Sequence, residues 1–393
     1  MSRLRVGIVA LSRLAHGGVF QYTQSVIDAL AGRSDLEVSV LTDHDEYDLR
    51  GLERRSLAAR SLPRRLATAA LLVSGVRSKI ALPPADRSAL AGLDLLFATS
   101  GLVYPHLFAG PPFVVTMHDL QERHLPGFFT PFERTLRSVI NRGLAKRATL
   151  LLCESRFVAA DLQRFLAVPE RRIAVVPAPP LEQGAPPTDE EVAQVRSVHQ
   201  LNENYLIYPA QFWPHKNHSA LLRAFALLRP RFSSLRLAFT GAHRLRYPEV
   251  MAEARGLGLE QSVRALGQLP YAQLRALLRG ARALVLPTLF ESISIPILEA
   301  FALGVPVCSS NVVGLPEQVG DAGLLFDPRD PAQIAAAAER ILTDPELAAE
   351  LVRRGRARLA GNSRERFGAL LAEVFRQVAV SSGGVSSSGV EEP

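Results

Sequence analysis

The stretch PTLFESISIPILEAFALGVPVCSSNVVGLPEQVGDAGLLF, residues 287–326, carries two carboxylates eight positions apart, Glu291 and Glu299. Pro296 lies between them and suits only the first turn of a helix, so a helix is predicted to begin with Ser294 or Ile295 as its cap. Carboxylates accept paired hydroxyl hydrogen bonds, and a helix N-terminus favours phosphate. Because eight helical residues span about 12 Å, one molecule with a sugar, a diphosphate and a ribose could meet both carboxylates.

Outward from this stretch, short apolar runs alternate with helical patterns along most of the chain. The runs predicted as strands include RVGIVAL (5–11), LEVSVLT (36–42), LDLLFATS (93–100), FVVTMHD (113–119), ATLLLCES (148–155), RIAVVPAP (172–179), YLIYPA (205–210), LRLAFTG (235–241) and ARALVLPT (281–288). This alternation predicts an α/β fold with doubly wound parallel sheets. A segment rich in proline and acidic residues, 178–191, interrupts the pattern and is predicted to be a linker.

Composition limits the class of protein. The 393 residues are 48% hydrophobic and 21% charged, which is typical of a globular chain. Cys153 and Cys308 are the only cysteines, which favours a reducing compartment. The N-terminus shows no signal segment, and no apolar run approaches the roughly 20 residues of a membrane span. The sequence therefore predicts a cytoplasmic location.

The net charge of +7 is concentrated in residues 50–79, where arginines alternate with leucines. One interpretation is an amphipathic surface that docks on an anionic membrane or on a phosphorylated, lipid-linked acceptor. The other is a solvated arginine-rich face. Nucleic acid is not an expected partner, because no aromatic residues are interleaved with this charge and no reader motif is present.

Five blocks in order resemble the retaining GT-B glycosyltransferases of glycosyltransferase family 4, over roughly residues 4–360. They are the E-x7-E pattern above, HGGVFQYTQSVIDAL (16–30), TMHDLQERHLPGFFTPFER (116–134), LLCESRFVAADLQRFLAVPERRIAVVPAP (151–179) and YPAQFWPHKNHSALLRAFALL (208–228). The resemblance implies two Rossmann-like domains that face a cleft. The predicted segments are an acceptor-binding domain at 1–179, a linker at 180–195, a nucleotide-sugar-binding domain at 196–362, a helix at 363–380 that crosses back to the first domain, and a disordered tail at 381–393.

The resemblance also assigns roles to residues. It implies that Glu291 contacts the hydroxyls of the donor sugar, Glu299 the ribose, Lys216 the diphosphate and His118 the reacting face of the sugar. His118, Lys216 and Glu291 are therefore the catalytic candidates. The donor-binding candidates are Gly17, Gly18, Gln211, His215, Lys216, Gly241, Glu291, Ser292, Ile293, Ser294, Ile295 and Glu299.

Three positions depart from the family pattern. Gln211 stands where an arginine is usual, so one cationic contact is either missing or supplied by His215 or by an arginine of the other domain. Ser292 and Ser294 stand where glycines are common, and serine restricts positive φ. The identity of the donor sugar is therefore not transferred from the family.

The expected activity is retaining, metal-independent transfer of a hexosyl group from a nucleotide-diphosphate sugar, of the GDP-mannose or UDP-sugar type, to an acceptor hydroxyl. The acceptor would be a saccharide or a lipid-linked sugar in cell-surface polysaccharide or glycolipid assembly, and no cofactor is expected. The alternatives are a GT-B epimerase or phosphorylase and a non-catalytic sugar-nucleotide-binding protein. An NAD-dependent oxidoreductase is excluded because neither half carries the G-x-G-x-x-G fingerprint.

Overall fold

The computed structural model describes residues 3–58, 84–101, 110–179 and 185–383. The chain forms two compact units: an N-terminal unit, Met1–Pro179 with Ser363–Pro393, and a C-terminal unit, Pro180–Asn362. Each unit is built on its own parallel sheet. The α/β class predicted from the alternation of apolar runs and helical patterns is confirmed.

The sheet of the N-terminal unit has the order β3-β2-β1-β4-β5-β6-β7, with every neighbouring pair parallel. Its strands are β1 (Leu4–Val9), β2 (Leu36–Thr42), β3 (Glu53–Ser56), β4 (Leu95–Ala98), β5 (Phe113–Thr116), β6 (Leu150–Cys153) and β7 (Ile173–Val175). Strands β4, β5 and β6 are wholly buried, because helices cover both faces of such a sheet; their sequences are therefore continuous apolar runs.

The helices of this unit connect successive strands, apart from the last one. They are α1 (Gly18–Ala31), α2 (Pro84–Leu90), α3 (Gln121–His124), α4 (Pro131–Arg147), α5 (Arg156–Leu166) and α14 (Arg364–Gly383). Helix α14 packs on this unit although it follows the C-terminal unit in sequence. Its Gly368 lies so close to α1 that a Cβ would come within 2.5 Å of the Ala29 carbonyl oxygen.

The sheet of the C-terminal unit has the equivalent order, β10-β9-β8-β11-β12-β13, and is also parallel. Its strands are β8 (Tyr205–Pro209), β9 (Arg236–Thr240), β10 (Val263–Ala265), β11 (Ala283–Leu286), β12 (Val307–Ser310) and β13 (Leu324–Phe326). Its helices are α6 (Asp189–Val198), α7 (His218–Leu228), α8 (Tyr247–Gly256), α9 (Tyr271–Arg279), α10 (Ile295–Leu303), α11 (Leu315–Val319), α12 (Pro331–Thr343) and α13 (Pro345–Leu359).

Both strand orders reverse direction at one place, between β1 and β4 in the first sheet and between β8 and β11 in the second. In open parallel sheets, ligands bind beyond the carboxyl ends of the strands at such a reversal. In the C-terminal unit, the loops that follow β8 and β11 are therefore the expected position of a site.

The structure corrects two boundaries predicted from sequence. Residues 189–195 of the predicted linker are helical, because Thr188 and Glu191 form a capping box at the start of α6. Helix α14 continues to Gly383, three residues beyond the predicted end. The predicted tail from 384 to 393 lies outside the described residues.

The basic segment 50–79 falls only partly within the described residues. Arg50 pairs with Asp28, Arg54 with Asp45 and Arg55 with Glu53, and the latter two arginines belong to strand β3. The described part is therefore an edge strand with paired charges. Residues 59–79 lie outside the described part of the chain. Among the described helices, none combines the length and the apolar character that crossing a bilayer requires.

Candidate functional site

The loops after β8 and β11 are locked together in the C-terminal unit. The first contains the 3₁₀ turn Pro214–Lys216 and then Asn217, which adopts a left-handed conformation with φ of 56°. Asn217 Nδ2 donates to the carbonyls of Pro287 (3.0 Å) and Pro328 (2.8 Å). The carbonyl of His215 accepts from the Leu289 amide at 2.7 Å. These bonds hold the turn next to the segment that carries Glu291.

Lys216 and Glu291 meet at this junction as an ion pair, with Lys216 Nζ donating to Glu291 Oε2. The two side chains keep 18% and 20% of their surface exposed. An ammonium has three donors and a carboxylate about four acceptor sites, so one mutual bond leaves both groups able to bind a ligand. The structure thus brings together two of the three catalytic candidates where the strand order reverses. Lys216 is a cation, and Glu291 can accept hydrogen bonds from hydroxyl groups.

Glu299 lies in the second turn of α10, which begins after Ser294 as predicted. The residue is 4% exposed, and its carboxylate accepts a hydrogen bond of 2.6 Å from Tyr271 Oη. Burial raises the pKa of Glu299 to about 7, against the smaller lowering effects of the Tyr271 hydrogen bond and Arg275. Glu291 and Glu299 therefore have separate partners within the unit. Tyr271 already donates a hydrogen bond to Glu299, the residue that the family resemblance assigns to the ribose.

The raised pKa of Glu299 predicts a pH dependence of stability. The folded state holds this proton more tightly than the unfolded state, so the free energy of unfolding falls as pH rises from about 4.5 to about 7. Glu299→Gln removes the titration. Between pH 5 and pH 8, urea denaturation should show the free energy of unfolding falling by about 2 kcal/mol less in Glu299→Gln than in the parent protein. Equal losses in the two proteins would contradict the assignment.

The serines of the signature do not strain the backbone. Neither Ser292 nor Ser294 is among the described non-glycine residues with positive φ. Both are buried, and Gln318 brackets Ser294, accepting from its amide at 2.8 Å and donating to its carbonyl at 2.8 Å. Ile293 and Ile295 are half-buried on either side. The predicted conflict between serine and positive φ is therefore absent, although the Ser294 amide is already engaged.

A cation of the same unit lies beside Gln211, the position where the family pattern has an arginine. Arg244, in the loop after β9, donates from Nε to Gln211 Oε1 at 3.3 Å, and its guanidinium lies 5.5 Å from the centre of the Trp213 ring. Gly241 permits this arrangement: with φ of +121°, it lies so close that a Cβ would be 2.7 Å from the carbonyl of Ala210.

His215 does not replace the missing charge. Burial, with a smaller contribution from Lys216, lowers the pKa of His215 to about 3, so the ring is neutral at neutral pH. The two substitutes predicted from sequence were this histidine and an arginine of the other domain. The described cation beside Gln211 is Arg244 of the same unit.

In the N-terminal unit, Gly17 and Gly18 lie at the start of α1. Gly17 has φ of 61° and ψ of −119°, a conformation accessible almost only to glycine, and Gly18 is the first helical residue. The strand, glycine loop and helix predicted from sequence are therefore present, with amides at the helix N-terminus that favour an anion.

His118 follows β5 and is held by two internal bonds. Its Nε2 lies 2.9 Å from the carbonyl oxygen of Thr99, and its Nδ1 lies 2.8 Å from Glu154 Oε1. Burial alone would lower the pKa of His118, but Glu154, together with Asp119 and the bond to Thr99, outweighs burial, so the pKa is raised. Because a carbonyl and a carboxylate are both acceptors, this arrangement favours the doubly protonated ring. Glu154 is itself buried, and its Oε2 has no partner among the described residues.

Sequence reasoning missed Arg244, Tyr271 and Glu154. Glu154 could have been predicted from its position, because it follows strand β6 at the same edge of the sheet as His118. Gln211 indicated that a cation such as Arg244 should lie nearby, because an uncharged residue at an expected anion site requires a positive charge from another residue. Tyr271 had no comparable signal.

Two family models match this chain. The model described as "Glycosyl transferases group 1" matches residues 189–358, and the "Glycosyl transferase 4-like domain" matches residues 17–179. These ranges correspond to most of the C-terminal unit and most of the N-terminal unit.

Curated relatives include two bacterial enzymes. The chain is 31% identical to O-antigen chain mannosyltransferase B of Escherichia coli, over 59% of this chain and 64% of the relative. It is 30% identical to D-inositol 3-phosphate glycosyltransferase of Salinispora arenicola, over 71% of this chain and 66% of the relative. Each alignment spans slightly less than two thirds of the relative's length.

Two solved structures share the fold along nearly the whole chain. Sucrose-phosphate synthase from Thermosynechococcus elongatus aligns with a TM-score of 0.76 and 21% identity, covering 96% of this chain and all of that one. Anabaena HepE in complex with UDP and glucose aligns with a TM-score of 0.73 and 17% identity, covering 95% of this chain and 100% of that one. With both units matched by family models, the chain belongs to the glycosyl transferases group 1, glycosyltransferase family 4.

Proposed function

We propose that this protein is a retaining glycosyltransferase that moves a hexosyl group from a nucleotide-diphosphate sugar to an acceptor hydroxyl. The observation that carries the proposal is the ion pair of Lys216 and Glu291 at the reversal of strand order in the C-terminal unit. A donor would replace this internal pair with two contacts of its own. Its diphosphate would take the ammonium, and its sugar hydroxyls would take the carboxylate.

In the proposed reaction, the bond from the anomeric carbon to the diphosphate oxygen breaks, and its electron pair leaves with the nucleoside diphosphate. The acceptor oxygen bonds to the same face of the anomeric carbon, and its proton passes to the departing phosphate. Negative charge therefore grows on the diphosphate. Lys216 would stabilise that charge, so the proposal requires no resident metal ion and no cofactor.

Arg244 is assigned to the same diphosphate through its contact with Gln211. We expect Arg244→Gln to weaken binding of a nucleoside diphosphate about 30-fold, because a charge-assisted bond to phosphate is lost. Binding of the nucleoside alone should not change. Adding Gln211→Arg to this variant should restore most of the affinity, as measured by calorimetric titration. An equal loss for the nucleoside would show a general packing defect instead.

For the donor and acceptor, the relatives' names favour a mannosyl group and a saccharide chain at the cell surface. The E. coli relative is an O-antigen chain mannosyltransferase, which makes GDP-mannose the first donor to test. Anabaena HepE has been solved with UDP-glucose, so a UDP-sugar is the second. Both free cysteines are buried, in keeping with a cytoplasmic enzyme.

The test is a thermal-shift panel of UDP-, GDP-, ADP- and dTDP-sugars, followed by mass spectrometry of products formed with the strongest binder. Glycosylated acceptor with release of nucleoside diphosphate supports transfer. Conversion of the donor sugar without an acceptor would identify an epimerase. Tight binding without turnover, across saccharide and lipid-linked acceptors, would identify a non-catalytic sugar-nucleotide-binding protein.

A further inference from the structure

The surface at the start of α4, in the N-terminal unit, exposes three large apolar side chains. Phe128 is 43% exposed, Phe132 74% and Leu136 39%. Phe132 and Leu136 are four residues apart and therefore share a helix face, while Phe128 ends the 3₁₀ turn Pro126–Phe128 that leads into the helix. Large apolar groups gathered on a surface often mark contact with another molecule or with a membrane.

An arginine-lined groove of about 490 Å³ lies against the same helix. Its lining includes Arg123, Arg134 and Arg142 together with the hydroxyl residues Thr135 and Ser138. We call the groove and the three exposed apolar residues the α4 surface. Guanidinium groups with neighbouring hydroxyls are the chemistry that recognises phosphate.

The positive charge of this groove is not neutralised within the described part of the chain. The guanidinium groups of Arg134 and Arg142 have no ion-pair or hydrogen-bond partner among the described residues. Arg123 donates to Ser138 Oγ at 3.0 Å, and its Nε is buried without a partner among those residues.

The acidic residues near the groove are already engaged. Glu122 accepts from Arg137 at 2.9 Å and from Asn141 at 3.1 Å. Glu133 is turned into the capping box with Thr130. The groove therefore offers net positive charge to an external anion.

We propose that the α4 surface docks on a bilayer that contains anionic phospholipids. Arg134 and Arg142 bind the headgroup phosphates, and Phe132 and Leu136 enter the interface between headgroups and acyl chains. Cationic and apolar groups side by side match this boundary, where phosphate and hydrocarbon are within reach of one helix. A soluble polyanion would match the arginines and leave the apolar residues in water. This inference does not depend on glycosyl transfer.

The proposal is tested by co-sedimentation of the full chain with vesicles of phosphatidylcholine, with and without phosphatidylglycerol. The protein should bind only the anionic vesicles. The double variant Arg134→Gln/Arg142→Gln should lower the partition coefficient about 30-fold, because each basic residue at an anionic surface contributes a separate attraction. Phe132→Ala/Leu136→Ala should lower it about tenfold or more through lost apolar burial.

Matched controls distinguish this surface from general charge or hydrophobicity. Arg87→Gln/Arg171→Gln removes two exposed arginines of the same unit, and Leu245→Ala/Val380→Ala removes two exposed apolar residues elsewhere. Both should leave vesicle binding unchanged. Circular dichroism should show native folding in every variant, since all the substituted side chains are exposed.

Three results would overturn the proposal. The first is equal binding to neutral and anionic vesicles. The second is full binding by both α4 variants and loss of binding by Arg60→Gln/Arg64→Gln/Arg65→Gln, which would assign docking to the segment 50–79. The third is displacement from vesicles by a soluble short-chain prenyl diphosphate, which would make the groove a site for a single phosphorylated amphiphile.

Discussion

Replacing Lys216 with methionine is expected to lower kcat/KM for glycosyl transfer by about 1,000-fold, because the ammonium faces the charge that grows on the departing diphosphate. Methionine keeps a similar length and apolar stem. Besides the Lys216–Glu291 pair, backbone bonds and the Asn217 side chain hold the turn that carries Lys216. The fold should therefore survive, and steady-state kinetics with the best donor measure the effect.

The matched control for this variant is Lys146→Met, which removes an exposed lysine from α4 in the other unit. It should leave turnover unchanged. Turnover of Lys216→Met within tenfold of the parent protein, with native circular dichroism, would contradict the role assigned to Lys216.

Glu291→Gln should produce two opposite effects. Transfer should fall about 100-fold, because an amide accepts the sugar hydroxyls less strongly than a carboxylate does. Affinity for the free nucleoside diphosphate should stay equal or rise, because Lys216 no longer has its internal anion partner. Calorimetric titration with the nucleoside diphosphate and kinetics with its sugar measure the two effects separately.

An exposed glutamate at the start of α13 provides the control, Glu346→Gln, which should change neither quantity. A parallel loss of transfer and of nucleoside diphosphate affinity in Glu291→Gln would indicate that Glu291 supports the loop structurally. In that case the proposed contact between Glu291 and the sugar would be wrong.

Features encoded over short distances in the chain could be predicted from the sequence. The buried strands are continuous apolar runs because both faces of each sheet are covered. The start of α10 follows from Pro296, which lacks an amide hydrogen and fits the first turn. The start of α6 was missed because its capping box, Thr188 with Glu191, follows a proline-rich stretch that resembles a linker.

Contacts between distant segments could not be predicted in the same way. Arg244 and Gln211 are 33 residues apart, and Tyr271 and Glu299 are 28 residues apart. The first contact depends on how two loops approach each other, and the second on how helices α9 and α10 pack together. Hydrophobic periodicity specifies neither. The raised pKa of His118 likewise depends on Glu154, which follows the neighbouring strand β6.

The most direct test of the central claim is a crystal structure of the protein with the nucleotide-sugar selected by the thermal-shift panel. In that complex, Lys216 Nζ is expected to leave Glu291 and lie within hydrogen-bond distance of a diphosphate oxygen, while Glu291 accepts hydrogen bonds from the hydroxyls of the sugar. A bound donor that leaves the pair of Lys216 and Glu291 intact and contacts neither residue would contradict it.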